Sequence, residues 1–337
     1  MARYHGHLYH CCQAKVNVYL SILINIVLLV AVAWSTVSIL QWLFLADWDA
    51  VVLNIPLYAF GRYPAAQRWR PLIWLMLLLL LTLLTLAGSQ YKTPRYALPV
   101  FWGLTVPVGM ILLAGGLGLA PVRSHEWGGL TLTLFLSICS GVVALPIGVL
   151  LALGRRSGFV LIEYVCSLFI ETIRAIPLIA VLFFGQLLIP LFLPANLEMN
   201  RVIRAILALG FFTAAYIAED VRGGLQAVPD TQEEAAAVLG LRPIQSLCWI
   251  VLPQALRIAL PALTNQAVAI LQSTTLLALL GLAELLGISR SLLGNPAFIG
   301  RHLEVYAALA AAYWVICSAI AMLFRRLEQQ LSISTTR

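Results

Sequence analysis

Residues 127–154 read WGGLTLTLFLSICSGVVALPIGVLLALG and contain no charged side chain. A helix that crosses a bilayer needs about 20 apolar residues, so this stretch is long enough to span a membrane. Seven further stretches also lack charged residues: 16–46, 71–91, 96–122, 175–197, 205–218, 258–283 and 305–324. The sequence therefore predicts an all-α, polytopic membrane protein with about eight transmembrane helices.

The composition of the whole chain agrees with this fold class. Of the 337 residues, 61% are hydrophobic and only 10% are charged, whereas soluble domains carry about 25% charged residues. Disordered chains combine low hydrophobicity with high charge. A single water-soluble domain and a disordered chain are both excluded.

The basic residues between the apolar stretches predict the orientation of the chain. Cytoplasmic loops are enriched in Lys and Arg, and alternating spans place three arginine-rich segments, both termini and the loop 92–95 on one side. Those segments contain Arg155, Arg156 and Arg174; Arg222, Arg242 and Arg257; and Arg325, Arg326 and Arg337. We expect this side to be cytoplasmic. The arginines of the loop between the first two stretches, Arg62, Arg68 and Arg70, do not follow the rule.

The chain has no residues for binding a nucleotide. A P-loop requires a lysine directly after glycine, and neither Lys15 nor Lys92 follows glycine. Any ATP and its Mg²⁺ must therefore be bound by another subunit. The sequence also lacks a nucleophile–base pair, paired acids or a metal motif, so we predict no catalytic residues, no metal site and no cofactor in this chain.

The connection 219–257 does not resemble an ordinary loop. Asp230 precedes a short helix through Glu234, with Glu233 at the spacing of a capping box. Gly240 suits a left-handed helix C-cap, and Pro243 suits the first turn of a second helix. We predict a helical hairpin over 229–257 outside the bilayer. The hairpin could bind a partner protein, or it could lie on its own bundle as a surface helix.

The hairpin carries the signature of a known family. Its residues resemble the EAA motif of permeases in binding-protein-dependent ABC importers, at the positions Glu234, Ala235, Ala236, Gly240, Ile250, Leu252 and Pro253. The segments 169–178 and 215–224 are similar to the polar amino-acid permeases. The segments 61–64, 127–130 and 152–157 resemble the M subunit of general L-amino-acid permeases.

The resemblance implies a fold and a set of partners. It implies a five-helix type I permease core over 126–328, preceded by an extension with three helices over 1–125. The hairpin would bind an ATPase, with Glu234 pairing a basic residue, Gly240 forming the turn and Ala235 and Ala236 as packing contacts. A second, non-identical permease, two ATPase copies and an extracytoplasmic amino-acid-binding protein would complete an importer in a bacterial inner membrane.

Three positions depart from the family pattern. Ala175 stands where the family usually has Gly, Thr231 replaces the Gly of a Gly-Gln pair, and Gln272 occupies a place that often holds Lys. The last departure puts the preference for acidic substrates in question.

The seventh apolar stretch is the richest in polar residues and is the candidate pathway. Polar groups in a bilayer are costly unless they face a partner or a cavity. Amides and hydroxyls could bind the ammonium and carboxylate of an amino acid; interhelical hydrogen bonds are the alternative. The candidates are Asn265, Gln266, Gln272, Ser273, Thr274 and Thr275.

Two acid–base pairs lie at the predicted cytoplasmic membrane edge. Glu171 and Arg174 are three residues apart, and Glu219 and Arg222 repeat this spacing, which permits i,i+3 ion pairs on a helix. They are either coupling contacts near the hairpin or a solvated interface. A carrier driven by an ion gradient, or a channel, stays the alternative to an ATP-driven importer. Such a protein would work without an ATPase.

Overall fold

The structure is a computed structural model that describes residues 2–87, 98–192, 194 and 199–333. The described part is built from helices, which are α1 (Ala2–Leu45), α2 (Asp49–Val52), α3 (Ile55–Phe60), α4 (Trp69–Ala87), α5 (Leu98–Ala114), α6 (Gly129–Arg155), α7 (Val160–Ala175), α8 (Leu178–Phe183), α9 (Ile189–Phe192), α10 (Arg201–Ala227), α11 (Thr231–Val238), α12 (Pro243–Ser246), α13 (Leu252–Ser273), α14 (Leu285–Leu293) and α15 (His302–Ile333). Short π-helical turns occupy Phe184–Leu188 and Leu247–Val251, and a 3₁₀ segment follows α13 at Thr274–Leu280.

The prediction of an all-α membrane protein is confirmed, with a smaller number of full-length spans. Six described helices are long and apolar enough to cross a membrane, and the bent pair formed by α7 and Leu178–Phe192 makes a seventh. The remaining predicted stretch, 96–122, is the third along the chain and corresponds to α5, which has 17 residues. It falls short because the helix ends at Ala114, before a turn with three glycines and Leu117, all four at positive φ. The loop 92–95 lies outside the described residues.

The chain divides into two units, Met1–Asp49 and Ala50–Arg337. The first unit consists mainly of α1, whose apolar window within Leu20–Leu45 is 0% buried. Apolar side chains all round a helix are typical of a span that contacts lipid or another membrane protein.

A sharp bend separates α7 from the helical segment after it. The two parts meet at an angle of 106°. Ile176 is extended, with φ −91° and ψ 136°, because a residue before proline is disfavoured in the α region. The predicted span 175–197 therefore begins at this bend, and α7 is a separate amphipathic helix in front of it.

The helix α10 is longer than the predicted stretch 205–218. It has 27 residues, about 40 Å at 1.5 Å per residue, and it contains Glu219, Asp220 and Arg222 in its last three turns. The predicted connection 219–257 was thus too long at its start, and the hairpin begins after Ala227. We call the end of the spans beside the hairpin the hairpin end, and the end where α10 begins at Arg201 the far end.

Small residues let α10 pack closely on its neighbours. α10 contacts α6 and α13 along its length, and the buried cluster between them contains five alanines: Ala144, Ala152, Ala214, Ala218 and Ala255. A Cβ added to Gly224 would lie 2.3 Å from the carbonyl oxygen of Ala255. Close backbone approach at small residues is the usual basis of helix association in membranes.

Aromatic residues form the core of the far end. The rings of Trp74 and Trp127 each meet Phe135 edge to face, with centroids 5.6 Å apart in both pairs. The indole N–H of Trp74 donates to the carbonyl of Thr105 at 3.0 Å, so α4 and α5 are joined to each other and to α6. Gly129 donates its backbone N–H to Ala283 at 2.9 Å, which attaches the segment before α14 to the same core.

We predict that Gly224→Ala destabilises the protein, whereas Gly223→Ala does not. The methyl at 224 would overlap the backbone of α13, and overpacking typically costs about 1–3 kcal/mol. The neighbouring Gly223 has no heavy atom within 4 Å of an added Cβ, so alanine there should be neutral or stabilise the helix by up to about 1 kcal/mol. Thermal unfolding in detergent, followed by gel-filtration fluorescence, measures both. Equal melting temperatures for the two variants would contradict the packing described.

Candidate functional site

The hairpin between α10 and α13 turns at Gly240. Gly240 has φ +77°, a conformation that glycine adopts without the strain of a Cβ. Its N–H donates to Ala237 at 3.0 Å, and the N–H of Leu241 donates to Ala236 at 3.1 Å. These two bonds are a Schellman motif. The predicted left-handed cap is confirmed, and Pro243 occupies the first position of α12 as predicted.

The predicted capping box at the start of α11 is wrong. Asp230 is in the right-handed helical region, with φ −59° and ψ −26°, and its side chain makes no capping bond. An N-cap side chain reaches the next turn from an extended backbone, which Asp230 does not have. Glu233, the other member of the predicted box, instead pairs with Arg156 at 2.9 Å. The pair links α11 to the C-cap residue of α6, the first residue of the α6–α7 connection.

The outer surface of the hairpin combines apolar and acidic side chains. Val238 is 87% exposed and Leu239 is 78% exposed, and Trp249 on the second arm is 68% exposed. Glu234 and Ala235 are also exposed on α11. We call Glu234, Ala235, Val238, Leu239 and Trp249 the hairpin tip. An apolar patch rimmed by polar residues is typical of a surface that binds another protein.

The remaining motif positions lie inside or beside the hairpin. Ala236 is 1% exposed, because α11 packs on α12 and the following π turn. It is therefore covered by its own chain, and Ala235 is the alanine of the pair that a partner could touch. Ile250, Leu252 and Pro253 are half-buried on the second arm.

A cluster of ion pairs holds the helices together at the hairpin end. Glu219 of α10 accepts from Arg155 of α6 at 3.2 Å, from Arg174 of α7 at 3.4 Å and from the Nε of Arg222 at 2.6 Å. Arg155 also reaches Glu171 of α7 at 3.0 Å. The guanidinium of Arg174 lies 5.4 Å from the ring centre of Tyr216. One carboxylate, 20% exposed, thus joins α6, α7 and α10.

The two predicted i,i+3 pairs have different outcomes. The pair of Glu219 with Arg222 is present. Glu171 and Arg174 do not pair with each other, because Glu171 forms an ion pair with Arg155 and Arg174 forms one with Glu219. The spacing along one helix gave no signal for these contacts, which join residues 16 to 64 positions apart in the sequence.

The polar residues of α13 divide into two groups. Pro261, Asn265, Ala269 and Gln272 are exposed and recur every three or four residues, so they share one helix face. We call this face the α13 polar stripe. Its side chains are small or polar, whereas the exposed side chains of α1 and α4 are mostly large and apolar. Amides in contact with lipid alone would be costly, so the stripe faces a partner or a polar cavity.

The other candidates of this stretch are engaged within the chain. Gln266 donates to Asp220 of α10 at 3.1 Å, a contact that the sequence did not indicate. Thr274 is buried and donates to Leu271 at 2.7 Å, and Thr275 donates to Gln272 at 2.7 Å. Ser273 is half-buried. These contacts leave Asn265 and Gln272 as the candidates that are best placed to meet a solute.

The described side chains of the site form contacts between helices and an exposed surface on the hairpin. In the part of the chain that the structure describes, no three His, Cys, Asp or Glu side chains are grouped to hold a metal ion. The side chains at the hairpin end are instead an exposed tip and a network of structural ion pairs.

Comparison with known protein families identifies one matching model. Residues 144–333 match the family described as binding-protein-dependent transport system inner membrane component. The match includes the ion-pair cluster, the hairpin and the α13 polar stripe.

Curated proteins and solved structures give consistent relatives. The chain is 36% identical, over 86% of its length and 79% of the relative, to the inner membrane amino-acid ABC transporter permease protein YhdY of Escherichia coli K12. It is 34% identical, over 83% of its length and 67% of the relative, to the glutamate/glutamine/aspartate/asparagine transport system permease protein BztC of Rhodobacter capsulatus. The crystal structure of an amino acid ABC transporter with histidines matches at 29% identity and TM-score 0.54, over 60% of this chain and 92% of that one.

We predict that the Arg156–Glu233 pair restrains the first arm of the hairpin. Arg156→Glu should speed hydrogen exchange of the α11 amides about two- to five-fold, because a surface ion pair contributes about 0.2–1 kcal/mol. Exchange mass spectrometry of the purified chain measures this effect.

The double variant Arg156→Glu/Glu233→Arg should return the exchange towards the wild-type rate. The matched control is Arg257→Glu, since Arg257 is exposed on α13 and forms no ion pair with the described residues. Failure of the charge swap to restore protection would show that the pair does not position α11.

Proposed function

This chain belongs to the family of binding-protein-dependent transport system inner membrane components, and we propose that it moves amino acids while a separate ATPase, bound at the hairpin, supplies the energy. The permease role follows from the family. The observation that supports the ATPase contact is the hairpin tip, where Val238 and Leu239 are more than three-quarters exposed on a short helical arm. Exposed apolar residues at such a position need a protein partner.

Glu233 and Glu234 are in different environments, and we propose that Glu234 is the one that contacts the ATPase. Glu233 is occupied by Arg156 of its own chain. Glu234 is exposed in the first turn of α11, next to Ala235 and within a turn of Val238. An arginine or lysine of the ATPase could therefore bind Glu234 while an apolar groove receives Val238 and Leu239.

Movement of the ATPase would reach the spans by two routes. The hairpin continues directly into α10 and α13, and the Arg156–Glu233 pair connects α11 to α6. The carboxylate of Glu219 ties α6, α7 and α10 together. A pull on the hairpin would thus turn these helices as one body and change access to the pathway from one side of the membrane to the other.

The α13 polar stripe is the proposed lining of the pathway. Asn265 and Gln272 expose amide groups that both donate and accept hydrogen bonds. An amino acid presents an ammonium and a carboxylate, which such groups can bind without a fixed charge. Relatives named as amino-acid, glutamate and glutamine permeases support an amino acid as the substrate.

The proposed assembly contains a second, non-identical permease, two ATPase copies and an extracytoplasmic binding protein. ATP and Mg²⁺ bind to the ATPase, and this chain holds no cofactor. The importer lies in a bacterial inner membrane with both termini of this chain, and its hairpin, in the cytoplasm. Residues 126–328 form the permease core, and residues 1–125 form an extension of it. A carrier driven by an ion gradient would leave the hairpin tip without a role, so we favour the ATP-driven importer.

Glu234→Arg should release the ATPase from the purified complex. A like charge would face the basic residue of the ATPase, and we expect at least a ten-fold loss of co-purified ATPase and of uptake. The control is Glu328→Arg, which makes the same charge change at an exposed position near the end of α15. Full ATPase recovery and full uptake in Glu234→Arg would remove the hairpin from the coupling mechanism.

Gln272→Ala should change which amino acids are taken up without loss of assembly. Removal of the amide takes away a donor and an acceptor on the α13 polar stripe. Competition of acidic, neutral and basic amino acids for uptake into proteoliposomes gives the selectivity. The control is Thr264→Ala on the same helix, because the hydroxyl of Thr264 bonds to its own helix at Leu260. Identical competition profiles for wild type and Gln272→Ala would exclude this side chain from the pathway.

A further inference from the structure

Three backbone segments meet closely at the far end of the spans: the end of α3, the start of α6 and the residues just before α14. A Cβ added to Gly61 would lie 2.3 Å from the Cα of Gly128, and one added to Gly128 would lie 2.7 Å from the carbonyl oxygen of Ala283. A Cβ added to Gly129 would lie 2.2 Å from the carbonyl oxygen of Tyr58. We call these five residues the glycine junction. Any larger residue at its glycines would force the three segments apart.

Hydrogen bonds join the same three segments beside the glycine junction. The hydroxyl of Thr131 donates to the carbonyl of Ala59 at 2.8 Å, which connects α6 to α3. The hydroxyl oxygen of Thr133 accepts the N–H of Leu285 at 3.0 Å, which connects α6 to the start of α14. Thr131 is 2% exposed and Thr133 is 0% exposed. Loss of either hydroxyl would leave a buried backbone group without its partner, which is costly.

The short helix α3 is held in place by the residues that follow it. Tyr63 is 1% exposed and donates its hydroxyl to the carbonyl of Leu113 in α5 at 3.0 Å. Arg70 at the start of α4 is 4% exposed and donates to the carbonyl of Ala120 at 2.7 Å. Both α4 and α5 belong to the aromatic core around Phe135. The helix α3 therefore contacts α6 and α14 from a fixed position.

The glycine junction lies at the end of the segment that continues from the α13 polar stripe. The 3₁₀ segment Thr274–Leu280 leads from α13 towards Ala283, which accepts the N–H of Gly129 at 2.9 Å. Thr274 and Leu277 of this segment are each 0% exposed, so it is packed against the rest of the bundle. The hairpin is attached to the opposite end of α13. A rigid helix that is moved at one end turns about the other end only if that end is held.

We propose that α3 is a brace for transport, and this proposal rests on the proposed function. Through the glycine junction, α3 holds the segment between α13 and α14 against α6, so that movement of the hairpin tilts α13 instead of displacing it. The residues Tyr58, Gly61, Gly128 and Gly129 are positioning residues that act through α13. The family match begins at residue 144, so these four residues lie outside the matched core. The brace therefore adds to the coupling of the core and is not part of the pathway.

Two variants loosen the brace in different ways. Gly61→Ala pushes α3 away from α6, because the new methyl overlaps the backbone at the glycine junction. Thr131→Val keeps the shape of the side chain and removes the hydrogen bond to α3. The matched controls are Gly103→Ala, where an added Cβ has no heavy atom within 4 Å, and Thr82→Val, because the hydroxyl of Thr82 bonds to its own helix.

The test measures uptake and ATP hydrolysis on the same samples. The permease–ATPase complex is reconstituted in proteoliposomes with its binding protein, and a mixture of the twenty labelled amino acids is the probe. The number of molecules taken up per ATP distinguishes a brace from a contact that only stabilises the fold, because instability lowers both activities in proportion. Hydrogen exchange of the α14 amides reports whether the glycine junction has loosened.

We expect both variants to lower uptake per ATP by about three-fold or more, whereas the two controls keep the wild-type ratio. The α14 amides of Thr131→Val should exchange about five-fold faster, the factor that corresponds to one lost hydrogen bond. An unchanged ratio or unchanged exchange in Thr131→Val would overturn the proposal, and this variant decides alone if Gly61→Ala does not assemble. ATP-driven uptake by the wild-type complex, measured first, separates failure of the brace from failure of the proposed function.

Discussion

The arrangement of this protein depends on how a carboxylate is kept inside a membrane helix. Glu219 lies in the last turns of α10, where an unpaired charge would be costly. Arginines from α6, α7 and α10 surround it, so the carboxylate pairs with Arg222 of its own helix and also links α10 to α6 and α7. The same arrangement brings the end of α6 close enough to the hairpin for Arg156 to reach Glu233. A single acid that is 20% exposed thus supports the helix packing at the hairpin end, next to the ion pair that contacts α11.

Small side chains make this packing possible along the rest of the spans. Gly148 and Gly224 allow α10 to approach α6 and α13 so closely that a methyl group at either position would overlap a neighbour. The hydrophobic effect does not distinguish lipid from a leucine-rich helix surface, so close contact and charge pairing must hold the bundle together. The far end relies more on aromatic packing around Phe135.

The sequence was informative where the physics is local. Charge-free stretches located the helices, and Gly240 followed by Pro243 located the turn of the hairpin, because a left-handed cap and a helix start depend on neighbouring residues. The sequence was misleading where contacts between distant residues determine the helix ends and the side-chain partners. Glu219 and Arg222 appeared to end a span, yet α10 continues through them, and Glu219 also pairs with Arg155 and Arg174 from other helices. Glu233 likewise does not form the predicted capping box with Asp230. It pairs with Arg156, which is 77 residues away in the sequence. The α13 polar stripe was predicted only in part, because Gln266 is used by Asp220.

The π-helical turn at Leu247–Val251 has a consequence for the way this surface can evolve. A π turn contains one residue more than the α-helical turn it replaces. Loss of a single residue there would restore an α-helical turn and leave the direction of the preceding segment nearly unchanged. A deletion in the regular α-helical turns beside it would instead rotate that segment by about 100° around the axis of α13, so the number of residues in those turns determines the direction in which the hairpin tip points. Substitutions in those turns can accumulate freely by comparison with insertions and deletions, which would turn the binding surface away from its partner.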